Sequence, residues 1–309
     1  MRPSDADVAT AVRRVTHRDV HEVTRSNSIY ATSHRLEDVV VRLSGGEDLR
    51  LMCKHLGVPA MLPGAARAKP AFLYDPRREL EVYEHVLPPA GIGTATCYGW
   101  WSEGGRDWLL LEKVPGVELY QVGDIDRWAH AAAWLARAHR ALAFGPAPPR
   151  LIRYDRAFYD HWVERSRGRG ARHAEAAEAY GRVIDRLLAF PVQPIHGELY
   201  ASNVLVTDDG RVAPVDWEMA AVGPVLVDLA ALTTALTADQ QERLERAYFD
   251  VRGWPDGLRG FLRDLDACRL HLCLRWLGWA DDWQPPEEHA HDWLGEALIL
   301  ADRLHAGSR

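Results

Sequence analysis

The sequence predicts an α+β fold, with a β-rich front over residues 1–114 and a mostly helical rear over 115–309. Three observations predict it. Two β-rich runs between residues 36 and 54 flank a glycine-containing turn. Past residue 120, apolar residues recur at the three- and four-residue spacing of helices. A single β-rich insertion, residues 203–216, interrupts that helical half.

Taken in order, Val39-Val40-Val41-Arg42-Leu43 and Leu49-Arg50-Leu51-Met52-Cys53-Lys54 are strands joined by Ser44-Gly45-Gly46-Glu47-Asp48, hence a hairpin. Alternation puts Leu49, Leu51 and Cys53 on one face and Arg50, Met52 and Lys54 on the other. After a Gly/Pro-rich connector, 57–70, Asp75-Pro76 opens a helix by the cap-then-proline rule and Leu87-Pro88-Pro89 closes it. Glu79, Glu81 and Glu84 lie on that helix. A strand from Thr94 to Trp101, the turn Glu103-Gly104-Gly105-Arg106 and the apolar run Trp108-Leu109-Leu110-Leu111 follow, ending hinge-like in Glu112-Lys113-Val114-Pro115-Gly116. Trp128, Ala131, Leu135, Ala138 and Leu142 then mark one face of a helix starting near Asp126. The insertion reads as a second hairpin: Asn203-Val204-Leu205-Val206, the turn Thr207-Asp208-Asp209-Gly210, and Val212-Ala213-Pro214-Val215-Asp216.

Composition narrows the function classes. A chain of 309 residues, 47% hydrophobic and 26% charged, has the make-up of a soluble globular protein with a large core. Its net charge of -7 and lack of long Lys/Arg blocks argue against nucleic acid as a partner and favour a cationic or neutral small molecule. The cysteines at 53, 97, 268 and 273 have neither disulfide-framework nor zinc-ligand spacing. A cytoplasmic protein is expected, a monomer or homodimer without a membrane partner. The opening MRPSDADVATAVRRV lacks the apolar run of a signal peptide, and no stretch reaches the ~18 apolar residues of a membrane span.

The residues able to carry chemistry surround the second hairpin. Antiparallel pairing brings Asn203, entering its first strand, and Asp216, leaving its second, to the same open end. Hard oxygen ligands there suit magnesium, which takes few protein carboxylates and completes its shell with water and phosphate. Glu198, five residues before Asn203, could orient or deprotonate a hydroxyl attacking a γ-phosphate. The competing reading is a hairpin with ordinary turn acids.

His196-x-Glu198-x4-Asn203 followed by Asp216 resembles the catalytic loop and metal-binding aspartate of the aminoglycoside phosphotransferase family, relatives of choline kinase and the protein kinases. The run Asp216-Trp217-Glu218-Met219-Ala220-Ala221-Val222-Gly223 through Asp228-Leu229-Ala230 is similar to that family's D-W-E-x-A-x-x-G-x-x-x-x-D-L-A pattern. So are Leu135-Ala136-Arg137-Ala138-His139 and the Leu109–Gly116 hinge, and the likeness spans residues 20–240, fading beyond. It implies a protein-kinase-like bilobal fold, with a nucleotide-binding lobe over 1–114 and a catalytic and acceptor-binding lobe over 115–309. It also implies ATP or GTP with Mg2+, and a hydroxylated small-molecule acceptor such as an antibiotic, aminoglycoside-like sugar, nucleoside or amino alcohol.

Carried over residue by residue, the resemblance makes Lys54 the strand lysine on the α- and β-phosphates. Glu79 becomes its helix partner, because Arg78-Glu79-Leu80 followed by Tyr83 best matches the family's helix, while Glu81 and Glu84 sit on other faces. Arg25-Ser26-Asn27-Ser28-Ile29-Tyr30 resembles a phosphate-covering turn, in which Ser26, Asn27 and Ser28 would leave backbone N–H groups for anionic oxygens; an ordinary hairpin turn is the alternative. Backbone groups near Glu112 and Val114 would bond adenine. His196 would brace the loop and Asp228 would accept its N–H groups. Glu198 stands where the family carries aspartate, so either it reaches a slightly more distant acceptor or the site binds with little turnover. Last, 260–300 holds Asp264, Asp266, Asp281, Asp282, Glu287 and Glu288 among Trp276, Trp279, Trp283 and Trp293, with Arg269, His271, Arg275, His289 and His291 diluting their negative field. These acids could hold a cation, although Trp276, Trp279 and Trp283 have the spacing of a buried stripe.

Overall fold

The computed structural model describes residues 2–29, 34–57, 60–63, 70–143, 145, 147–279 and 291–306. Its front is an antiparallel sheet of β1 (Val20–Asn27), β2 (Leu36–Leu43), β3 (Asp48–Leu56), β4 (Cys97–Glu103) and β5 (Arg106–Glu112), in the order β1-β2-β3-β5-β4. The hairpin register pairs Val39 with Leu51 and Leu36 with Lys54. A helix that the sequence reading did not anticipate, α1 (Asp5–Thr16), begins in a capping box in which Asp7 N–H donates to Ser4 Oγ and Ser4 N–H to Asp7 Oδ2. Its Val8, Ala11 and Val12 close a core with Val39, Val41, Leu51, Cys53 and Leu110. Because Leu51 and Cys53 face α1, strand alternation sends Lys54 to the opposite side.

On that side lies α2, an α-turn (Arg78–Glu81), a π-turn (Val82–Val86) and a final α-turn (Leu87–Ala90) run together. Its predicted closure at Leu87-Pro88-Pro89 is corrected: both prolines sit inside the last turn, and Gly91, at φ 59°, ends the helix. Prolines have no N–H for an α-helical bond, and the wider turn just before them is where the regular pattern gives way.

The rear is helical, as the spacing predicts. In α3 (Ile125–Leu142) the residues Trp128, Ala131, Leu135, Ala138 and Leu142 are all buried, and the cap is Asp124, which accepts from Asp126 N–H at 2.9 Å. Five more helices follow: α4 (Arg156–Arg167), α5 (Ala171–Ala189), α6 (Leu226–Leu232), α7 (Ala238–Arg252) and α8 (Gly257–Trp279), with α9 (Trp293–Ala306) last. Two small sheets lie among them, β10-β9-β6 and β7-β11-β8. They comprise β6 (Gly116–Glu118), β7 (Ile152–Arg153), β8 (Val192–Ile195), β9 (Val204–Thr207), β10 (Val212–Pro214) and β11 (Ala221–Pro224). In the second hairpin β9 and β10 pair Val204 with Pro214, and Val215 N–H donates to Asn203 O at 2.9 Å. The long α8 buries Phe261, Leu265, Cys268 and Leu272, and with them Arg269, His271 and Arg275. Among the described residues no helix is long and apolar enough to cross a membrane.

Candidate active site

The loop from His196 to Asn203 leaves β8 and enters β9. Its start is held by Asp228 on the first turn of α6, whose carboxylate accepts from His196 N–H and Gly197 N–H, each at 2.8 Å. His139 Nε2 lies 3.2 Å from the same carboxylate, while Tyr248 OH is 2.9 Å from His139 Nδ1. A carboxylate only accepts, so the His139 proton belongs on Nε2 and Nδ1 accepts from the tyrosine. Gly197 has φ 82°, and a Cβ there would stand 2.2 Å from Met219 O, so both backbone conformation and space require glycine. His196 donates through Nε2 to Val215 O at 2.9 Å and packs on Trp217 with ring centroids 4.6 Å apart. Burial holds its imidazole below the ordinary histidine range, which keeps it neutral. Its place is in the scaffold.

Lys54 reaches across from the front sheet. Its Nζ lies 2.7 Å from Glu79 Oε2 and 2.5 Å from Asp216 Oδ1, which ties β3, α2 and the end of the second hairpin together. Burial opposes the ammonium, but Asp216, Glu79 and Glu218 more than offset it and hold it charged well above the usual lysine range. Glu79 is pushed up by burial and drawn back by Lys54. Of the other α2 acids, Glu81 pairs with Arg150 at 2.9 Å. Buried Arg78 was not singled out from the sequence. Its Nη1 donates to Glu218 O at 2.6 Å and Leu73 O at 2.8 Å, docking the Glu79 helix on the Asp216 segment.

Asp216 has a left-handed backbone, φ 63° and ψ 61°, a conformation costing a non-glycine residue about 1–2 kcal/mol. Such strain collects at functional sites. Asn203 gives its amide to Glu198 O at 2.9 Å, which leaves its carbonyl oxygen for another partner. One carboxylate and one amide oxygen at one hairpin end fit a hard cation that takes most of its ligands from phosphate and water.

Glu198 points sideways. Its Oε1 meets Arg275 Nη2 at 2.7 Å, and Arg275 Nη1 donates to Gly197 O at 2.9 Å and Tyr154 OH at 3.2 Å. The sequence reading treated Arg275 only as diluting a negative field. The overlooked signal is an arginine inside the apolar run Leu270–Trp279. Beyond it, Trp276 Nε1 donates to Tyr200 OH at 2.6 Å and its ring stacks on Trp293 at 5.4 Å and 13°, so Trp276 flanks the loop as well as packing in the stripe.

Two acids proposed for a cation are engaged elsewhere: Asp264 pairs with Arg186 and accepts from Trp254 Nε1, and Asp266 pairs with Arg269 at 3.4 Å. Asp281, Asp282, Trp283, Glu287, Glu288 and His289 lie outside the described residues.

The phosphate-covering turn is corrected in part. Ser26 and Asn27 belong to β1, paired with Asp38 and Glu37, and Ser28 N–H, expected to be free, donates to Leu36 O at 2.9 Å. The edge strand runs longer than its polar residues suggested, Ile29 beyond it is exposed, and Tyr30 lies outside the described residues. At the hinge, Glu112 N–H donates to Thr96 O at 2.8 Å and its side chain pairs with Arg211, so that amide is unavailable to a ligand. The Val114 N–H has no partner among the described residues.

A profile described as the phosphotransferase enzyme family matches residues 67–270. No curated protein sequence matches the chain. Among solved structures, a microcompartment-associated aminopropanol kinase superposes with TM-score 0.62 at 16% identity, over 97% of this chain and 98% of its own. The choline kinase LicA from Streptococcus pneumoniae gives 0.60 at 13%, over 97% and 100%. A mutant aminoglycoside phosphotransferase APH(4)-Ia, in ternary complex with ADP and hygromycin B, gives 0.55 at 17%, over 96% and 98%. At these identities the likeness shows the kinase-like fold.

Proposed function

Because the chain belongs to the phosphotransferase enzyme family, we propose that it transfers the γ-phosphoryl group of ATP or GTP to a hydroxyl of a small molecule. The observation that carries this reading is the convergence on one ammonium: Lys54, with Glu79 at 2.7 Å and Asp216 at 2.5 Å, beside Asn203 at the same hairpin end. Lys54, positioned by Glu79, offsets the charge of the α- and β-phosphates. Asn203 and Asp216 would hold Mg2+, whose chemistry there is to neutralise phosphate oxygens. Val114 N–H offers the purine a donor, and the front and rear act as nucleotide and acceptor lobes. Glu198 orients the acceptor hydroxyl and accepts its proton. In phosphoryl transfer most of the catalysis is positioning and charge neutralisation, so a well-placed weak base suffices.

The acceptor belongs to the hydroxylated amines, sugars, nucleosides and antibiotics, and Tyr200, Trp276 and Trp293 offer an aromatic wall beside Glu198. Incubation of the purified protein with γ-labelled ATP, magnesium and a panel of such compounds should label one of them. Failure to bind ATP at millimolar concentration would sink the proposal. A second reading, a protein that binds ligand and nucleotide with little turnover, draws on the Arg275 ion pair, since a carboxylate held by a guanidinium has fewer acceptor sites left for a substrate hydroxyl. Calorimetric binding without any labelled product would favour it.

A further inference from the structure

We propose that Arg275 is the positioning residue that makes a glutamate serviceable at position 198. The proposal rests on the phosphotransfer reading above and explains its one departure from the family pattern. A glutamate carboxylate stands one methylene farther from its backbone than an aspartate carboxylate and has one more rotatable bond. Left free, it would sample positions about 1 Å or more apart, and errors of that size near a reacting atom cost about 100-fold in rate.

Here the added length is used laterally. Glu198 Oε1 reaches Arg275 Nη2 at 2.7 Å, while the other amine of the same guanidinium grips Gly197 O at 2.9 Å. One planar fork therefore fixes both the side chain and the preceding main chain of the loop.

Arg275 is itself over-determined. It is 4% exposed on α8, with Nη1 also 3.2 Å from Tyr154 OH. Tyr154 stacks on Phe158 at 4.1 Å, and its N–H donates to Val222 O at 3.1 Å. Gly223 lies against its ring so closely that a Cβ would come within 3.0 Å. The guanidinium thus rests on two parts of the chain outside the loop, α8 itself and Tyr154 at the end of β7. An aspartate at 198 would end one methylene short of it.

The test uses MgATP with water as acceptor, read as phosphate release across a range of MgATP concentrations, for wild type, Glu198→Asp, Arg275→Lys, Arg275→Met and the double variant Glu198→Asp/Arg275→Met. Thermal melts accompany each protein. Glu198→Asp should lose about 10-fold or more in kcat although it restores the family's residue. Arg275→Met should lose as much in kcat while the KM for MgATP rises far less, because Lys54, Asn203 and Asp216 are untouched. The double variant should be no slower than the slower single one, because both changes break one interaction. Wild-type turnover with Glu198→Asp equal or faster, with a KM for MgATP that rises as much as kcat falls in Arg275→Met, or with multiplying losses overturns the role of Arg275 and leaves phosphotransfer standing. If Arg275→Met does not fold, Glu198→Asp and Arg275→Lys decide: both must fall below wild type. A wild type that releases no phosphate and binds no ATP overturns the phosphotransfer reading itself, and this proposal with it.

Discussion

Replacing Asp228 with alanine removes the acceptor for three donors at once, His196 N–H, Gly197 N–H and His139 Nε2–H. His139, His196 and Asp228 are each no more than 1% exposed, so water does not replace the carboxylate without rearrangement. A buried donor left unsatisfied costs about 1–3 kcal/mol, so three give about 3–6 kcal/mol after partial relaxation. That is a large share of the roughly 5–15 kcal/mol by which domains are stable. Asp228→Asn keeps one acceptor oxygen but turns an NH2 toward a backbone N–H, and should cost about 2–3 kcal/mol. Urea denaturation with the m-value held as a control measures both. In the asparagine variant, kcat for phosphate release should fall more than KM rises, because the loop carrying Glu198 loses its anchor while the Lys54 cluster is untouched. A loss below about 1 kcal/mol for Asp228→Ala at unchanged m would refute the reasoning.

Gly197→Ala should be among the most damaging single-methyl additions in the chain. It combines a left-handed φ with a Cβ 2.2 Å from Met219 O, for about 2–5 kcal/mol, read as a lower melting temperature; wild-type stability would contradict it. Lys54→Met should abolish the rise in melting temperature that MgATP gives the wild type, and an unchanged rise would remove Lys54 from the phosphate site. His196 and His271 are buried and held neutral, His271 also by Arg275, and their proton affinity is lower folded than unfolded. Below about pH 6.5 the unfolded chain therefore binds the extra protons, and stability should fall by up to about 1.4 kcal/mol per pH unit for each histidine; a flat urea midpoint from pH 7 to 5.5 would disprove this.

Much of the site was legible because local patterns set it. Strand alternation alone sends Lys54 away from the Leu51–Cys53 face, and the β9–β10 register alone brings Asn203 beside the segment that carries Asp216. The choice of Glu79 came from the resemblance of Arg78-Glu79-Leu80 and Tyr83 to the family's helix, with Glu81 and Glu84 on other faces, and Glu79 lies 2.7 Å from Lys54. The misses have a different character. Ser28 was expected to offer a free backbone N–H to a ligand, yet its amide is bonded to Leu36 O, and the partner of a backbone N–H leaves no trace in residue type. Arg78 and Arg275 act through side chains, but on partners 140 and 77 residues away in sequence, at Glu218 and Glu198.

The segment from His196 to Asp216 thus divides cleanly. Residue identity and period by themselves place Asn203 and Asp216 at one hairpin end, because register and pleat are short-range geometry. Only the tertiary packing that sets α8 beside Tyr154 and the loop decided what the longer side chain at 198 touches. A buried guanidinium finds its carboxylate through the tertiary fold, and no spacing along the chain encodes that meeting.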